Sequence, residues 1–326
     1  MTLKPFVAAF SFRCQSRAVS LVLLGLMVGC GSKSDPAPGA SGSPLAGTVE
    51  RGKYLVDYLL VCGECHTPTG ADGNPVPGKY LAGSRSYDFK YGAQSISVYA
   101  ENLTSHPVEG LGMWTDDQIR TAITKGIDDE HVSMWPIMPY PEYSQLAKDD
   151  VDSIIKYLRT VPASPDVVPP DTIGDPDPPA PSIKDSDIPH ATLAKTDPRY
   201  ASAERGRYLS TVACAQCHTP QTGPGIPDFS KPFAGGRPYK SRSDLKEAVS
   251  TNITPHATGL AGWSVDDIKA SIKTNTEKGT ARPLCKTMPG GMHRMGELTD
   301  ADLQDIAVYV ANLPPVMNGP FKCEGN

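Results

Sequence analysis

Apolar residues recur at helical spacing in three stretches of the first half of the chain, and the same three stretches return in the second half. Tyr54, Leu55, Tyr58 and Leu59 fall on one face and predict a helix over 52–61. Thr115 precedes Asp116-Asp117-Gln118-Ile119, an N-cap residue followed by acids in a first helical turn. A third helix starts at Asp149-Asp150 and carries Val151, Ile154, Ile155 and Leu158 on one face. Ser264-Val265-Asp266-Asp267 and Thr299-Asp300-Ala301-Asp302 repeat these helix starts. Long stretches without helical periodicity separate the elements, which a small domain tolerates when they wrap something large. The expected fold class is all-α.

The repeat extends to motifs. Arg51-Gly52-Lys53-Tyr54-Leu55 returns as Arg205-Gly206-Arg207-Tyr208-Leu209, and Cys62-x-x-Cys65-His66-Thr67-Pro68 as Cys214-x-x-Cys217-His218-Thr219-Pro220. Ala82-Gly83-x-Arg85-x-Tyr87 matches Ala234-Gly235-x-Arg237-x-Tyr239. Asn102-Leu103-Thr104-x-His106 matches Asn252-Ile253-Thr254-x-His256. Gly110-Leu111-x-x-Trp114, Met138-Pro139 and Leu146…Tyr157 likewise return at Gly259, Met288-Pro289 and Leu298…Tyr309. The order is kept and the offset stays between 149 and 154 residues, the mark of a duplicated domain.

The ends and the middle differ in composition. Lys4, Arg13 and Arg17 precede an apolar run over 18–29, too short to span a bilayer but suited to an export signal. The run ends at Met27-Val28-Gly29-Cys30, which resembles a bacterial lipobox with Cys30 as the lipidated residue, although Met27 stands where leucine is usual. Ordinary cleavage nearby, with Cys30 lost or free, is the alternative. The predicted division is a signal peptide (1–29), a lipid anchor and flexible tether (30–47), a first domain (48–160), a Pro/Asp-rich linker (161–198), a second domain (199–318) and a tail (319–326). Linker composition admits either freely tumbling domains or a strap packed along the surface, and the strap is the expectation. The net charge is −5, and removal of residues 1–29 leaves 28 basic against 36 acidic residues, or −8. That balance disfavours nucleic acid and suits a partner with a basic patch.

Cys-x-x-Cys-His is the attachment signature of c-type haem: two thiols reach the two vinyl groups and the adjacent histidine comes under the iron. Cys62, Cys65, Cys214 and Cys217 are the expected attachment residues, and His66 and His218 the iron ligands. A zinc site would need two more ligands per motif, and a thiol redox pair gives no reason for a histidine in both copies. Methionine usually completes the iron in cytochromes c. Met138 lies 72 residues after His66, and Met288 lies 70 after His218, each beside proline. Met134 competes in the first copy, Met292 and Met295 in the second, and His106 with His256 would give bis-histidine ligation. Trp114 and Trp263 are candidates to line the haem crevice, with core packing the alternative, and Arg85 and Arg237 are candidates to pair with propionates. Cys14 leaves with the signal, Cys30 is lipidated and four cysteines hold haem. Cys285 and Cys323 remain, and an oxidising compartment favours a disulfide between them.

The motif order over 49–315 resembles tandem class I cytochrome c domains, and more narrowly the cytochrome subunits of membrane-bound alcohol, aldehyde and gluconate dehydrogenases. Those subunits commonly carry three haem domains where this chain has two motifs, and His106 and His256 stand where an acidic residue is frequent. The resemblance implies His/Met ligation through Met138 and Met288. The expected protein holds two covalent haem c groups and transfers electrons in the bacterial cell envelope. It faces the periplasm or cell exterior, without substrate chemistry of its own. Expected partners are a donor, either a dehydrogenase or a quinol-linked complex, an acceptor cytochrome or oxidase, and the membrane through the lipid anchor. A subunit that anchors a separate catalytic partner and a dihaem peroxidase are the competing readings.

Overall fold

Thr48 opens helix α1 (Val49–Tyr54) by accepting a hydrogen bond from the Arg51 amide at 3.1 Å. The computed structural model describes residues 46–91, 93–172, 174, 179–240, 247–280, 284 and 294–321. Cys14, Cys30, Cys285, Met288, Met292 and Cys323 lie outside the described residues, and with them the expected signal, lipid anchor, disulfide and second methionine ligand.

Each half is built on a pair of crossing helices. In the first, α1 continues as a π-helical turn (Leu55–Leu59), and the short α2 (Gly63–His66) follows; α3 (Asp116–Lys125) and α4 (Tyr140–Tyr143) precede α5 (Lys148–Leu158), which crosses α1. In the second, α6 (Tyr200–Ala213) leads into α7 (Ala215–His218), and α8 (Val265–Thr274) precedes α9 (Asp300–Ala311), which crosses α6. Both crossings bring backbone onto backbone. A Cβ on Gly52 would stand 1.9 Å from the Ser153 carbonyl oxygen, and one on Gly206 would stand 1.9 Å from that of Asp305. Leu55, Leu59, Ile154, Ile155, Leu303, Ile306 and Leu313 fill the core beside these crossings.

The predicted caps are present. Thr115 and Gln118 form a reciprocal capping box at α3, and Ser264 and Asp267 form one at α8. Thr299 caps α9 through the Asp302 amide at 3.1 Å. The drift in repeat offset also has a structural cause. Seven positions separate Leu55 from Cys62 but five separate Leu209 from Cys214. The first copy absorbs its two extra residues in the π-helical turn and in a left-handed Val61 (φ 49°).

The all-α expectation needs correction, because three antiparallel hairpins occur among the described residues. They pair β1 (Ser86–Tyr91) with β2 (Gln94–Tyr99), β3 (Gln221–Gly223) with β4 (Ile226–Pro227), and β5 (Pro238–Lys240) with β6 (Glu247–Val249). Tyr87, Phe89 and Tyr91 alternate with polar residues, a period-two signal outweighed by the helical reading of the whole chain. Tertiary contact makes the first hairpin worth forming: Ile96 is buried, and Phe89 packs edge-on against Trp135 with ring centroids 5.3 Å apart.

Among its described residues, the connecting segment has few backbone bonds of its own and borrows others. Asn102 donates to the carbonyls of Ser164 and Asp166 at 3.0 and 3.1 Å, and the Tyr99 amide donates to Asp171 at 2.8 Å. Ala180 donates to the Tyr140 hydroxyl at 2.7 Å, Ile183 and Ile188 are buried, and the Tyr309 hydroxyl donates to the Pro189 carbonyl at 2.7 Å.

The two halves meet through a seam that repeats with approximate two-fold symmetry. The Tyr54 hydroxyl donates to Asp302 at 2.7 Å and accepts from the Thr299 amide at 3.1 Å. The equivalent Tyr208 donates to Asp150 at 2.7 Å and accepts from the Ala147 amide at 3.2 Å. Each aspartate also takes an arginine from its own half: Arg51 reaches Asp150 at 2.8 Å, and Arg205 reaches Asp302 at 3.1 Å. Burial pushes the Asp150 carboxyl upward, but the hydrogen bonds from Arg51 and Tyr208 outweigh it and hold the group below the usual carboxylate range. Its stabilising contribution is therefore present above the unfolded value and fades as pH falls through the lowered folded value. Tyr208→Phe should cost about 1–2 kcal/mol at neutral pH, and less in acid, in urea denaturation of the full chain.

Candidate functional site

In each half, the helix that ends at the cysteines delivers both thiols and the histidine within one turn. The Cys65 amide bonds to the Cys62 carbonyl at 3.1 Å, and that of His66 to the same carbonyl at 2.9 Å. The second copy repeats this, with the Cys217 and His218 amides on the Cys214 carbonyl at 3.1 and 2.9 Å. All four cysteines are unpaired with one another. Burial, the main cause, pushes the Cys62 and Cys214 thiols up to about 12, opposite to the low value an attacking redox thiol requires. Among the described residues, no three His, Cys, Asp or Glu side chains gather to hold a bare metal ion.

The histidines are fixed by partners far along the chain. His66 is buried and its Nδ1 lies 2.6 Å from the Glu101 carbonyl; His218 is buried and its Nδ1 lies 2.8 Å from the Thr251 carbonyl. A carbonyl only accepts, so each ring carries its proton on Nδ1 and keeps the Nε2 lone pair for a metal. Burial lowers the proton affinity of both rings and so favours the neutral form that iron requires. The next residues hold the loop that follows. Thr67 and Thr219 accept from the amides of Leu81 and Phe233 at 3.1 and 3.2 Å. Leu81 and Phe233 are both fully buried and both left-handed, with φ of 60°. For bulky residues that conformation is strained, and its recurrence at equivalent places shows that packing imposes it.

Arg85 stacks over Tyr87 and donates to the Glu64 carbonyl inside the first Cys-x-x-Cys turn. Arg237 stacks over Tyr239 and donates to the equivalent Gln216 carbonyl at 2.7 Å. Both guanidinium groups are thus held on the attachment turn. Trp114 and Trp263 are half-buried against the core, and Trp114 gives its carbonyl to Arg159 at 2.5 Å. Met138 is half-buried and packs on the core, its amide bonded to the Trp135 carbonyl at 3.2 Å. Met295 is buried core at the position that Tyr143 fills in the first half. His106 and His256 are spent on their own turns: His106 Nδ1 accepts from the Glu109 amide at 2.9 Å, and His256 Nδ1 from the Thr258 amide at 3.1 Å.

The cytochrome c family model matches residues 203–314, the segment that contains α6, the second Cys-x-x-Cys-His turn, α8 and α9. Residues 203–314 belong to the cytochrome c family. The wider chain is similar to a dihaem cytochrome c-type protein of Cereibacter sphaeroides, 26% identical over 321 residues that make up 93% of this chain and 99% of that one. It is also similar to the cytochrome c subunit of a quinone-linked alcohol dehydrogenase from Gluconacetobacter polyoxogenes, 30% identical over 298 residues (82% of this chain and 56% of that one). The cytochrome subunit of fructose dehydrogenase from Gluconobacter japonicus is 27% identical over 320 residues (91% and 59%). The chain spans a little over half the length of these two dehydrogenase subunits. No helix among the described residues is long and apolar enough to cross a membrane.

The residues fit a covalent haem in the cytochrome c domain. Two unpaired thiols and a neutral, Nδ1-anchored imidazole on one turn are the donor set that haem c needs. The first half presents the same set around His66.

Sequence reasoning missed Glu142, since a single glutamate in a short helix carries no pattern. It is fully buried, and neither carboxyl oxygen meets a hydrogen-bond partner among the described residues. Burial pushes it up to about 7, with its own amide and the Arg237 guanidinium offsetting part of the rise. An acid raised in the folded state carries no penalty below its ordinary value of 4.5 and the full penalty above 7. Glu142→Gln should therefore stabilise the protein at pH 8 by about 3 kcal/mol and change little at pH 4, read from paired denaturant titrations.

Proposed function

We propose that the chain is an electron carrier with two tandem class I cytochrome c domains, 48–160 and 199–318, each with one covalent haem c. Cys62 and Cys65 would hold the first group and Cys214 and Cys217 the second, with His66 and Met138 as ligands of the first iron and His218 and Met288 of the second. Arg85, Arg237, Trp114 and Trp263 would border the haems. The haem supplies one-electron chemistry, and the protein's part is to hold it rigidly and away from water. The observation that carries the reading is the buried, carbonyl-locked histidine beside two thiols, built twice on equivalent elements. Similarity along nearly the full length of a dihaem cytochrome supports the count of two.

The names of the other relatives support a dehydrogenase as electron donor, with a cytochrome or oxidase as acceptor. Export, lipidation at Cys30 and a Cys285–Cys323 disulfide complete the proposal on sequence grounds. Denatured protein should keep its haem and give two haem equivalents per chain by pyridine haemochrome. One equivalent, or haem released on denaturation, would refute the double attachment. The reduced protein should pass electrons rapidly to an oxidised cytochrome and should not turn over hydrogen peroxide.

A further inference from the structure

The C-terminal half reaches across and grips the loop that carries Met138. Gln216, an intervening residue of the second Cys-x-x-Cys-His turn, donates from Nε2 to the Ile137 carbonyl at 2.8 Å. Gly225 lies against the same stretch so closely that a Cβ there would stand 2.2 Å from the Pro136 oxygen and 2.7 Å from the Ile137 nitrogen. Its φ of +74° also belongs to the left-handed region that favours glycine. Gln216 is itself held by Arg237, whose guanidinium donates to its carbonyl at 2.7 Å and stacks over Tyr239. Pro136 and Ile137 immediately precede Met138, and the loop's own backbone bonds there are few: Met138 to Trp135 at 3.2 Å and Tyr140 to Met138 at 2.8 Å.

We propose that Gln216, backed by Gly225, is a positioning residue for the first haem: the second domain's attachment turn fixes the Met138 loop and thereby the strength of the bond from Met138 to the iron of the first domain. The inference rests on Met138 being that ligand. A residue in one haem's attachment turn then tunes the other haem.

The test uses the full-length protein loaded with both haems. Gln216→Glu keeps the shape of the side chain but removes its N–H donor. It should loosen Met138 and raise the affinity of the oxidised first haem for added imidazole, which must displace the methionine, by about tenfold, the scale of one lost hydrogen bond. The same loosening should weaken the iron–sulfur absorption band and lower one of the two midpoint potentials, by about 59 mV if reduced-state preference falls tenfold. The other potential should stay unchanged in Gly225→Ala, which adds no charge beside it. Gly225→Ala should act in the same direction, and amide exchange at Ile137 and Met138 should quicken in both variants. Met138→Ala separates the two claims. If it leaves the band intact, Met138 is not the ligand and the underlying reading fails. If it removes part of the band while both Gln216→Glu and Gly225→Ala leave imidazole affinity and both potentials unaltered, the cross-domain positioning is overturned.

Discussion

Gly206→Val is expected to leave the C-terminal cytochrome c domain unfolded and its haem unattached. The first atom of any side chain there would stand 1.9 Å from the Asp305 carbonyl oxygen and 2.8 Å from the Tyr309 Cβ, so two helix backbones would have to separate. Separation would strip contact from Leu209, Leu303, Ile306 and Tyr309, which are buried around the crossing. Overpacking against main chain has no flexible neighbour to yield, and a cost above about 4 kcal/mol is expected, a large part of the stability of a small domain. Gly206→Ala should do less harm, because one methyl can be met by a smaller shift. Thermal unfolding followed by helix signal and by haem content should show loss of one transition in the valine variant. Retention of both haems and an unchanged profile would mean that the helices do not cross this tightly. Gly52→Val should behave alike in the first half, where Ser153 stands in place of Asp305.

The second large effect concerns attachment. Cys62→Ala with Cys65→Ala should remove covalent haem from the first half and halve the pyridine haemochrome yield per chain. His66 would remain anchored by the Glu101 carbonyl. Without a haem in place, the first half should also lose stability. The mirrored pair, Cys214→Ala with Cys217→Ala, should leave the first haem attached. A yield that stays at two equivalents in either pair would show that the thiols do not hold the haem.

Most of the local architecture was legible in the sequence. Helix starts at Thr115, Ser264 and Thr299 are decided by side chains within three residues of the amides they satisfy. The attachment turn needs only five consecutive residues, and the duplication is visible as ordered motifs. The repeated Gly52 and Gly206 were on view too, but a glycine in a helix does not say what crosses it. The hairpin at Ser86–Tyr99 was hidden for another reason: its alternation is short, and its strands gain their value from Trp135 and the core.

The repeat, the paired Cys-x-x-Cys-His turns and the helices that carry them can be read along the chain, because spacing and capping act over a few residues. What locks the histidines depends on packing, since the Glu101 and Thr251 carbonyls lie 35 and 33 residues from them. Packing alone decided the seam, where Tyr54 meets Asp302 across 248 positions, and the burial of Glu142 among groups from both halves. It also joined Gln216 to Ile137, 79 positions apart. No local preference encodes such pairs. They form when packed helix faces fix the backbone and bring a donor and an acceptor together away from water, where leaving either unpaired would cost more than the bond returns in solvent.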